Sequence, residues 1–214
     1  NKMNEYMARI SEGFVMPGRE KERVAELTRL FELYKDVTDE ALLDNLVYFL
    51  RAIMPVCNKY GIRMAIHPDD PAWPVFGLPR IVGTLDSLQK ILDAVDDPLS
   101  GVTLCTGSLG TRPDNDIPGI IRALSGRIHF AHVRNLRHTA PGVFEESAHP
   151  SLDGSLDMYA IMKAFYDTGF DGVLRPDHGR AIFGERAMPG YGLYDRAIGC
   201  GYLLGLWEAL QKQD

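Results

Sequence analysis

The chain begins with apolar residues at helical spacing and continues with short apolar runs that alternate with longer helical stretches. From about Glu20 to Tyr60 the spacing predicts two amphipathic helices, and Thr38 is a suitable N-cap for the second. After Gly61 each short apolar run is followed by a polar loop and a helical stretch, which is typical of βα units. The predicted strands are Ile62–Ile66, Val102–Cys105, Ile128–Val133 and Val173–Arg175. The helices predicted after them are Thr84–Val95, Pro118–Leu124, Leu156–Thr168 and Leu193–Leu210.

Four parallel strands are too few to close an eight-stranded barrel. They indicate either a small open α/β sheet or one half of a larger barrel. The four units, residues 61–214, take about 38 residues each, near the roughly 31 per unit of a 250-residue (β/α)₈ barrel. The first residue is Asn1 and not Met, which favours missing upstream sequence. We therefore expect an α/β fold: the C-terminal half of a (β/α)₈ TIM barrel, with four parallel strands and alternating helices. Residues 1–60 are expected to be a helical lead-in segment of the same barrel.

Composition and charge narrow the classes of partner. The 214 residues are 45% hydrophobic and 24% charged, as in ordinary globular proteins. A net charge of -6 gives no overall positive field for nucleic acid or an anionic membrane, and no apolar run approaches the roughly 18 residues of a membrane helix. Three widely spaced cysteines, Cys57, Cys105 and Cys200, favour free thiols in a reducing compartment. We expect a cytoplasmic protein with no nucleic acid or membrane partner.

Residue types that bind metals stand at the C-terminal ends of all four predicted strands, where parallel α/β proteins bind their ligands. These residues are His67, Cys105, His132 and Asp177. One such residue is more often structural than functional, but a coincidence at four successive strand ends is far less frequent. Two imidazoles, a thiolate and a carboxylate favour a divalent transition metal over Mg²⁺ or Ca²⁺, and the chemistry alone suggests Zn²⁺. The small residues of Thr106–Gly110 predict a loop of close approach.

Other polar side chains near these strand ends have either a functional or a structural interpretation. His178 can act as an acid or base near neutral pH, or support a metal ligand through a hydrogen bond. Arg134 and Arg175 can bind a substrate carboxylate, or form salt bridges within the protein. Tyr191 stands in a loop with Gly and Pro on both sides, where it can close over a ligand or simply pack.

Several of these segments together resemble the mannonate dehydratase family. The matching stretches include Arg63-Met64-Ala65-Ile66-His67-Pro68-Asp69-Asp70-Pro71, Gly77-Leu78-Pro79-Arg80, Cys105-Thr106-Gly107-Ser108, Arg175-Pro176-Asp177-His178-Gly179 and Pro189-Gly190-Tyr191. The resemblance extends over almost the whole chain from about Gly13. The family is a TIM barrel of the xylose-isomerase-like type whose members are longer on the N-terminal side. This implies that the present sequence is the C-terminal half.

The resemblance implies a metal-dependent hydro-lyase that converts D-mannonate to 2-dehydro-3-deoxy-D-gluconate in hexuronate (glucuronate) catabolism. It also implies a working ion, Mn²⁺ or Fe²⁺, bound by His67, Cys105, His132 and Asp177. A base must remove the C2 proton and an acid must protonate the departing C3 hydroxyl. We assign these two steps to His178 and Tyr191, with His178 as the preferred base. Arg134 and Arg175 are our candidates for binding the sugar acid.

Two other functions remain open at this point. One is a metal-dependent sugar isomerase of the same barrel type, although such sites usually use several Glu and Asp ligands and the strand ends here offer one carboxylate. The other is a non-catalytic, metal-stabilised binding protein. The long apolar second helix leaves room for a subunit interface. We therefore expect a homo-oligomer whose ligand is a small sugar acid.

Overall fold

Two α-helices form the first part of the structure, a computed structural model that describes residues 24–213. They are α1, Val24–Tyr34, and α2, Asp39–Tyr60. Thr38 caps α2, since its side chain accepts a hydrogen bond from the amide of Ala41 at 3.2 Å. Gly61 ends α2 at φ 64°, a left-handed conformation that glycine adopts without strain. Both predicted helices are confirmed, while the predicted start near Glu20 lies outside the described residues.

The strands form one parallel sheet and one antiparallel hairpin. In chain order they are β1 Met64–Ile66, β2 Ser100–Cys105, β3 Ile128–His132, β4 Leu136–Ala140, β5 Val143–Glu146 and β6 Val173–Arg175. The parallel sheet has the order β1-β2-β3-β6, and β4 pairs with β5. In the sheet Cys105 lies beside His132, and His132 lies beside Arg175. The α/β class and the four predicted parallel strands are confirmed, and their C-terminal ends lie along one edge.

Helices follow the strands as predicted, with one addition. They are α3 Leu85–Ala94, α4 Thr106–Gly110, α5 Ile117–Ala123, α6 Met158–Asp167 and α7 Leu193–Gln211, together with a 3₁₀ turn at Ser151–Asp153. The addition is α4, because the stretch predicted as a loop is a short helix that begins directly after β2. Among residues 24–213, no helix is long and apolar enough to cross a membrane.

The hairpin of β4 and β5 was missed by the sequence analysis. Pro141 and Gly142, the latter at φ 70°, form its turn, and this dipeptide between two short runs is the signal that marks it. The ring of Phe144 on β5 packs edge-on against Trp73 with the centroids 5.8 Å apart. This contact holds the hairpin against the segment after β1. The last hairpin residue, Glu146, pairs with Leu136 in the register of the two strands.

The hydrophobic core lies between the parallel sheet and the helices α2, α3, α5 and α6. Its residues come from every one of these elements, and Leu104 of β2 has no exposed surface. The contributing side chains include Leu50, Leu88, Ile91, Val102, Leu104, Ile121, Ala131, Ile161 and Phe165. The core therefore fixes β2 and β3, whose C-terminal residues enter the candidate site.

Replacing Leu104 tests this central position. Leu104→Ala should lower the free energy of unfolding by about 2–5 kcal/mol, because it leaves a cavity between the sheet and the helices. The matched control is Leu152→Ala, since Leu152 is 94% exposed and its loss should change stability by less than about 0.5 kcal/mol. Urea denaturation followed by circular dichroism measures both. Equal effects of the two substitutions would contradict the placement of the core.

Candidate metal centre

The four residues predicted to bind a metal come together at the C-terminal edge of the sheet. His67 follows β1, Cys105 ends β2, His132 ends β3, and Asp177 lies two residues after β6. One ligand atom from each lies within 4.8 Å of the other three. Parallel strands bring their ends to one edge, so residues more than 100 positions apart in the chain share a single centre.

His67 presents its Nε2 atom to this centre. Its Nδ1 atom lies 2.7 Å from the carbonyl oxygen of Pro68, which can only accept a hydrogen bond. Nδ1 therefore carries the proton, and the lone pair of Nε2 faces Nδ1 of His132 at 3.1 Å. A backbone carbonyl that fixes the ring in this way is a common support for a metal-binding histidine.

Cys105 is fully buried and is prepared to bind as a thiolate. Burial raises the pKa of its thiol, but the contacts of the sulfur with His132 and His67 and the positive charge of Arg134 outweigh burial and lower the pKa to about 5. The side-chain hydroxyl of Ser108 also donates to Sγ at 3.0 Å, as does the Ser108 amide at 3.4 Å. Cys105 is therefore a thiolate at neutral pH, which is the form in which cysteine binds metals.

His132 and Asp177 form the other half of the group. Nδ1 of His132 lies 3.4 Å from Oδ1 of Asp177, and both side chains are largely buried. Burial lowers the pKa of His132, but hydrogen bonds with Asp177 and Cys105 raise it to about 9. Burial raises the pKa of Asp177, but the hydrogen bond from His132 and the nearby His178 hold it well below its usual range. A divalent ion that binds here must displace the proton of His132.

These side chains fit a divalent transition metal in distance and in charge. Two ligand atoms that each lie about 2.0–2.3 Å from one ion are at most about 4.6 Å apart, close to the 4.8 Å limit observed here. Cys105 and Asp177 each bring a negative charge, and Asp70 and Glu146 add two more around Arg134. Arg134, Arg175 and a protonated His132 offset three of these four negative charges, and a 2+ ion that replaces the His132 proton would balance the fourth.

Arg134 lies directly behind the four ligands and is 1% exposed. Its Nη1 atom binds Oε1 of Glu146 at 2.8 Å, its Nη2 atom binds Oδ2 of Asp70 at 2.5 Å, and Nε lies 3.6 Å from Oδ2 of Asp177. A Cβ atom on Gly107 would lie 2.5 Å from the guanidinium carbon, so glycine in α4 is required for this packing. The guanidinium is thus occupied by carboxylates of the protein itself.

His178 lies between the ligand group and Glu146. Its Nε2 atom is 3.4 Å from Oδ2 of Asp177, and its Nδ1 atom is 2.7 Å from Oε1 of Glu146. Burial raises the pKa of Glu146, but the hydrogen bond from His178 and the charge of Arg134 lower it below its ordinary value. The two nitrogens of His178 thus have separate surroundings, one at the ligand group and one at the hairpin.

Tyr191 and Arg175 are also close to this centre. The loop after β6 folds back, so that the amide of Gly179 donates to the carbonyl of Gly190 at 2.9 Å. The Tyr191 ring consequently lies beside His178, with 5.6 Å between the centroids. Arg175 donates to Oδ1 of Asp177 at 2.6 Å and keeps half of its side chain exposed.

The structure therefore brings all eight predicted site residues to one edge of the sheet, while their roles stay predictions. Sequence analysis missed Glu146 and the ion pair of Asp70. Asp70 stands in the His-Pro-Asp-Asp-Pro segment, which contributes to the family resemblance but gives no separate role to this carboxylate. No sequence motif marks Glu146 as a site residue, since it reaches the site through the unpredicted hairpin.

Comparisons with known proteins agree on one family. The family profile described as D-mannonate dehydratase (UxuA) matches residues 1–214. A mannonate dehydratase of Brachyspira hyodysenteriae is 64% identical over 99% of this chain and 59% of its own length. The crystal structure of mannonate dehydratase from Streptococcus suis serotype 2 superposes with a TM-score of 0.83 at 40% identity, over 87% of this chain and 54% of that one.

A more distant structure shows the fold alone. It is a xylose isomerase-like TIM barrel protein from Mycobacterium smegmatis, with a TM-score of 0.57 and 18% identity over 81% of this chain and 53% of that chain. The present chain spans somewhat more than half the length of these proteins.

Removal of the sulfur ligand tests the metal centre. Cys105→Ser should lower metal binding by at least about 10-fold, because a neutral hydroxyl replaces a buried thiolate. Cys200→Ser is the matched control, since Cys200 is exposed on α7 and outside the ligand group. The metal content of each variant after gel filtration, measured by mass spectrometry, is compared with that of the wild type. Equal metal content in both variants would contradict the assignment of Cys105.

Proposed function

This chain belongs to the D-mannonate dehydratase family, and on that premise we propose that it carries the metal centre of an enzyme that removes water from D-mannonate. The product would be 2-dehydro-3-deoxy-D-gluconate, within the breakdown of hexuronates. The observation that supports this most strongly is the convergence of two imidazoles, a thiolate and a carboxylate beside His178. A metal and an adjacent proton acceptor are what loss of water from a sugar acid requires.

We propose that the sheet is the C-terminal half of a (β/α)₈ barrel, with residues 1–60 as a helical lead-in segment. Four parallel strands in sequence order support this, as does the match to part of longer relatives. In such a barrel the metal centre lies at the C-terminal face, where barrel enzymes have their active sites. Further substrate contacts would then come from the other half.

Mn²⁺ or Fe²⁺ is our proposal for the metal. The candidate ligand set mixes nitrogen, sulfur and oxygen, which favours a transition metal over Mg²⁺ and Ca²⁺ with their all-oxygen cages. Zn²⁺ is the alternative that the thiolate and imidazoles favour. Reconstitution of the metal-free protein with each ion, followed by an activity assay, distinguishes the three. We expect the highest activity with Mn²⁺ or Fe²⁺.

The proposed reaction removes hydrogen from C2 and hydroxide from C3. The C2 proton is very weakly acidic. A divalent ion bound at the site would act as a Lewis acid and stabilise the negative charge that develops on the substrate as this proton leaves. His178 takes the C2 proton on Nε2, the nitrogen that faces Asp177. The C2–C3 double bond forms as the C3 hydroxyl leaves, protonated by Tyr191 beside the His178 ring. The resulting enol becomes the 2-keto acid.

We propose that Arg175 and Arg134 both contribute to substrate binding, Arg175 by direct contact and Arg134 through its charge. Arg175 is half exposed and can turn its guanidinium from Asp177 to a substrate carboxylate. Arg134 is held by three carboxylates and contributes a fixed positive charge. Its contribution to substrate binding is therefore through the field at the site.

We also propose a homo-oligomer that works in the cytoplasm. Helix α2 exposes Tyr48, Phe49 and Val56, three large apolar side chains that suit a subunit interface. The Cys105 thiol must stay reduced to bind the metal, which a reducing compartment ensures.

An assay of the purified full-length protein tests the function. With D-mannonate and Mn²⁺ we expect a 2-keto acid to accumulate, detected with semicarbazide. A sugar isomerase would instead interconvert an aldose and a ketose without loss of water. A metal-stabilised binding protein would turn over neither D-mannonate nor an aldose or ketose sugar. Either of the last two results would overturn the proposal.

Replacement of His178 tests the proposed base. His178→Asn should lower turnover by about 10²–10⁴-fold, the usual contribution of a general base, because Asn cannot accept the C2 proton. Metal content should stay unchanged, since His178 lies beside the ligand group and outside it. Steady-state kinetics and metal analysis of the same sample give both values. Unchanged turnover would remove His178 from the mechanism.

A further inference from the structure

Glu146 is an acidic residue of the site that the proposed mechanism does not use. It ends β5, its side chain is 27% exposed, and Oε1 accepts hydrogen bonds from two different partners. One partner is Arg134 at 2.8 Å, and the other is Nδ1 of His178 at 2.7 Å. The first contact places the carboxylate, and the second connects it to the proposed base.

The chemistry of these contacts determines where the proton of His178 lies. An ionised carboxylate has only acceptor atoms, so the nitrogen that bonds Glu146 must carry a hydrogen. That nitrogen is Nδ1, and a neutral ring then has its lone pair on Nε2. Nε2 lies on the side of Asp177 and the ligand group. A ring with its proton on Nε2 instead could accept nothing from a substrate bound there.

We propose that Glu146 is a positioning residue that holds His178 in the Nδ1–H form with Nε2 free to accept the substrate proton. This inference rests on the proposed function for its catalytic consequence. Two contacts hold the hairpin that carries Glu146 in place. Phe144 packs on Trp73, and Nε2 of His138 on β4 donates a hydrogen bond to the carbonyl of Gly110 at 2.9 Å. The hairpin therefore contributes one residue, Glu146, to the proposed active site.

Three variants separate this role from the ion pair with Arg134. Glu146→Ala removes the acceptor from both His178 and Arg134, and kcat should fall by about 10–100-fold, the usual effect of losing such support. Glu146→Gln keeps a carbonyl oxygen that can accept from Nδ1 and should recover most of kcat. Asp70→Ala removes a carboxylate from Arg134 without touching His178, and should lower kcat less than Glu146→Ala.

The kinetic outcomes decide between the two roles. A fall in kcat with KM and metal content near the wild-type values, reversed by Gln, supports positioning of His178. Equal losses in Glu146→Ala and Asp70→Ala would mean that Glu146 acts through Arg134, and this would overturn the proposal. A Gln variant as slow as the Ala variant would also overturn it.

Nuclear magnetic resonance provides a readout that does not depend on turnover. The full-length protein is labelled with ¹⁵N-histidine, loaded with diamagnetic Zn²⁺ and studied in alkaline buffer, which favours neutral rings. The His178 signals are those missing in His178→Asn. We expect the proton on Nδ1 in the wild type and the Gln variant, and on Nε2 in the Ala variant. A wild-type proton on Nε2 would overturn the inference even if the enzyme acts on another substrate.

Discussion

The geometry of the site depends on one buried guanidinium and the carboxylates that surround it. Arg134 follows β3, and its partners come from three other segments: Asp70 after β1, Glu146 at the end of β5 and Asp177 after β6. A buried charge without partners is strongly destabilising, so these segments are held to one point. The same charge favours the thiolate of Cys105. One side chain thus holds three segments together and stabilises the thiolate of Cys105, a candidate metal ligand.

The closeness of the four candidate metal-binding residues could be predicted from the sequence because it depends on a local pattern. Short apolar runs predict strands, and in a parallel sheet the residues at or just after the C-terminal end of each strand lie along the common edge. His67, Cys105, His132 and Asp177 each satisfy that rule within their own segment. The sheet that carries them was predictable for the same reason, since alternating strands and helices strongly favour parallel pairing.

The contacts between segments could not be predicted in this way. Glu146 is one of many charged residues in the sequence, and its meeting with His178 depends on a hairpin whose strands are four and five residues long. Such strands are too short for a periodicity to stand out. The helix at Thr106–Gly110 is similar, because five residues with a single large apolar side chain, Leu109, show no helical period. Its position under Arg134 agrees with the predicted close approach, although the loop predicted there was wrong.

The network around Arg134 and the candidate ligand group share one carboxylate. Asp177 belongs both to this network and to the ligand group, whereas Asp70 and Glu146 belong to the network alone. Asp70 and Glu146 hold the loop after β1 and the hairpin to Arg134, and Asp177 connects the same guanidinium to the candidate ligand group. Because hydrogen bonds with Asp177 and Cys105 raise the pKa of His132 to about 9, a metal bound by His132 would compete with a proton at neutral pH.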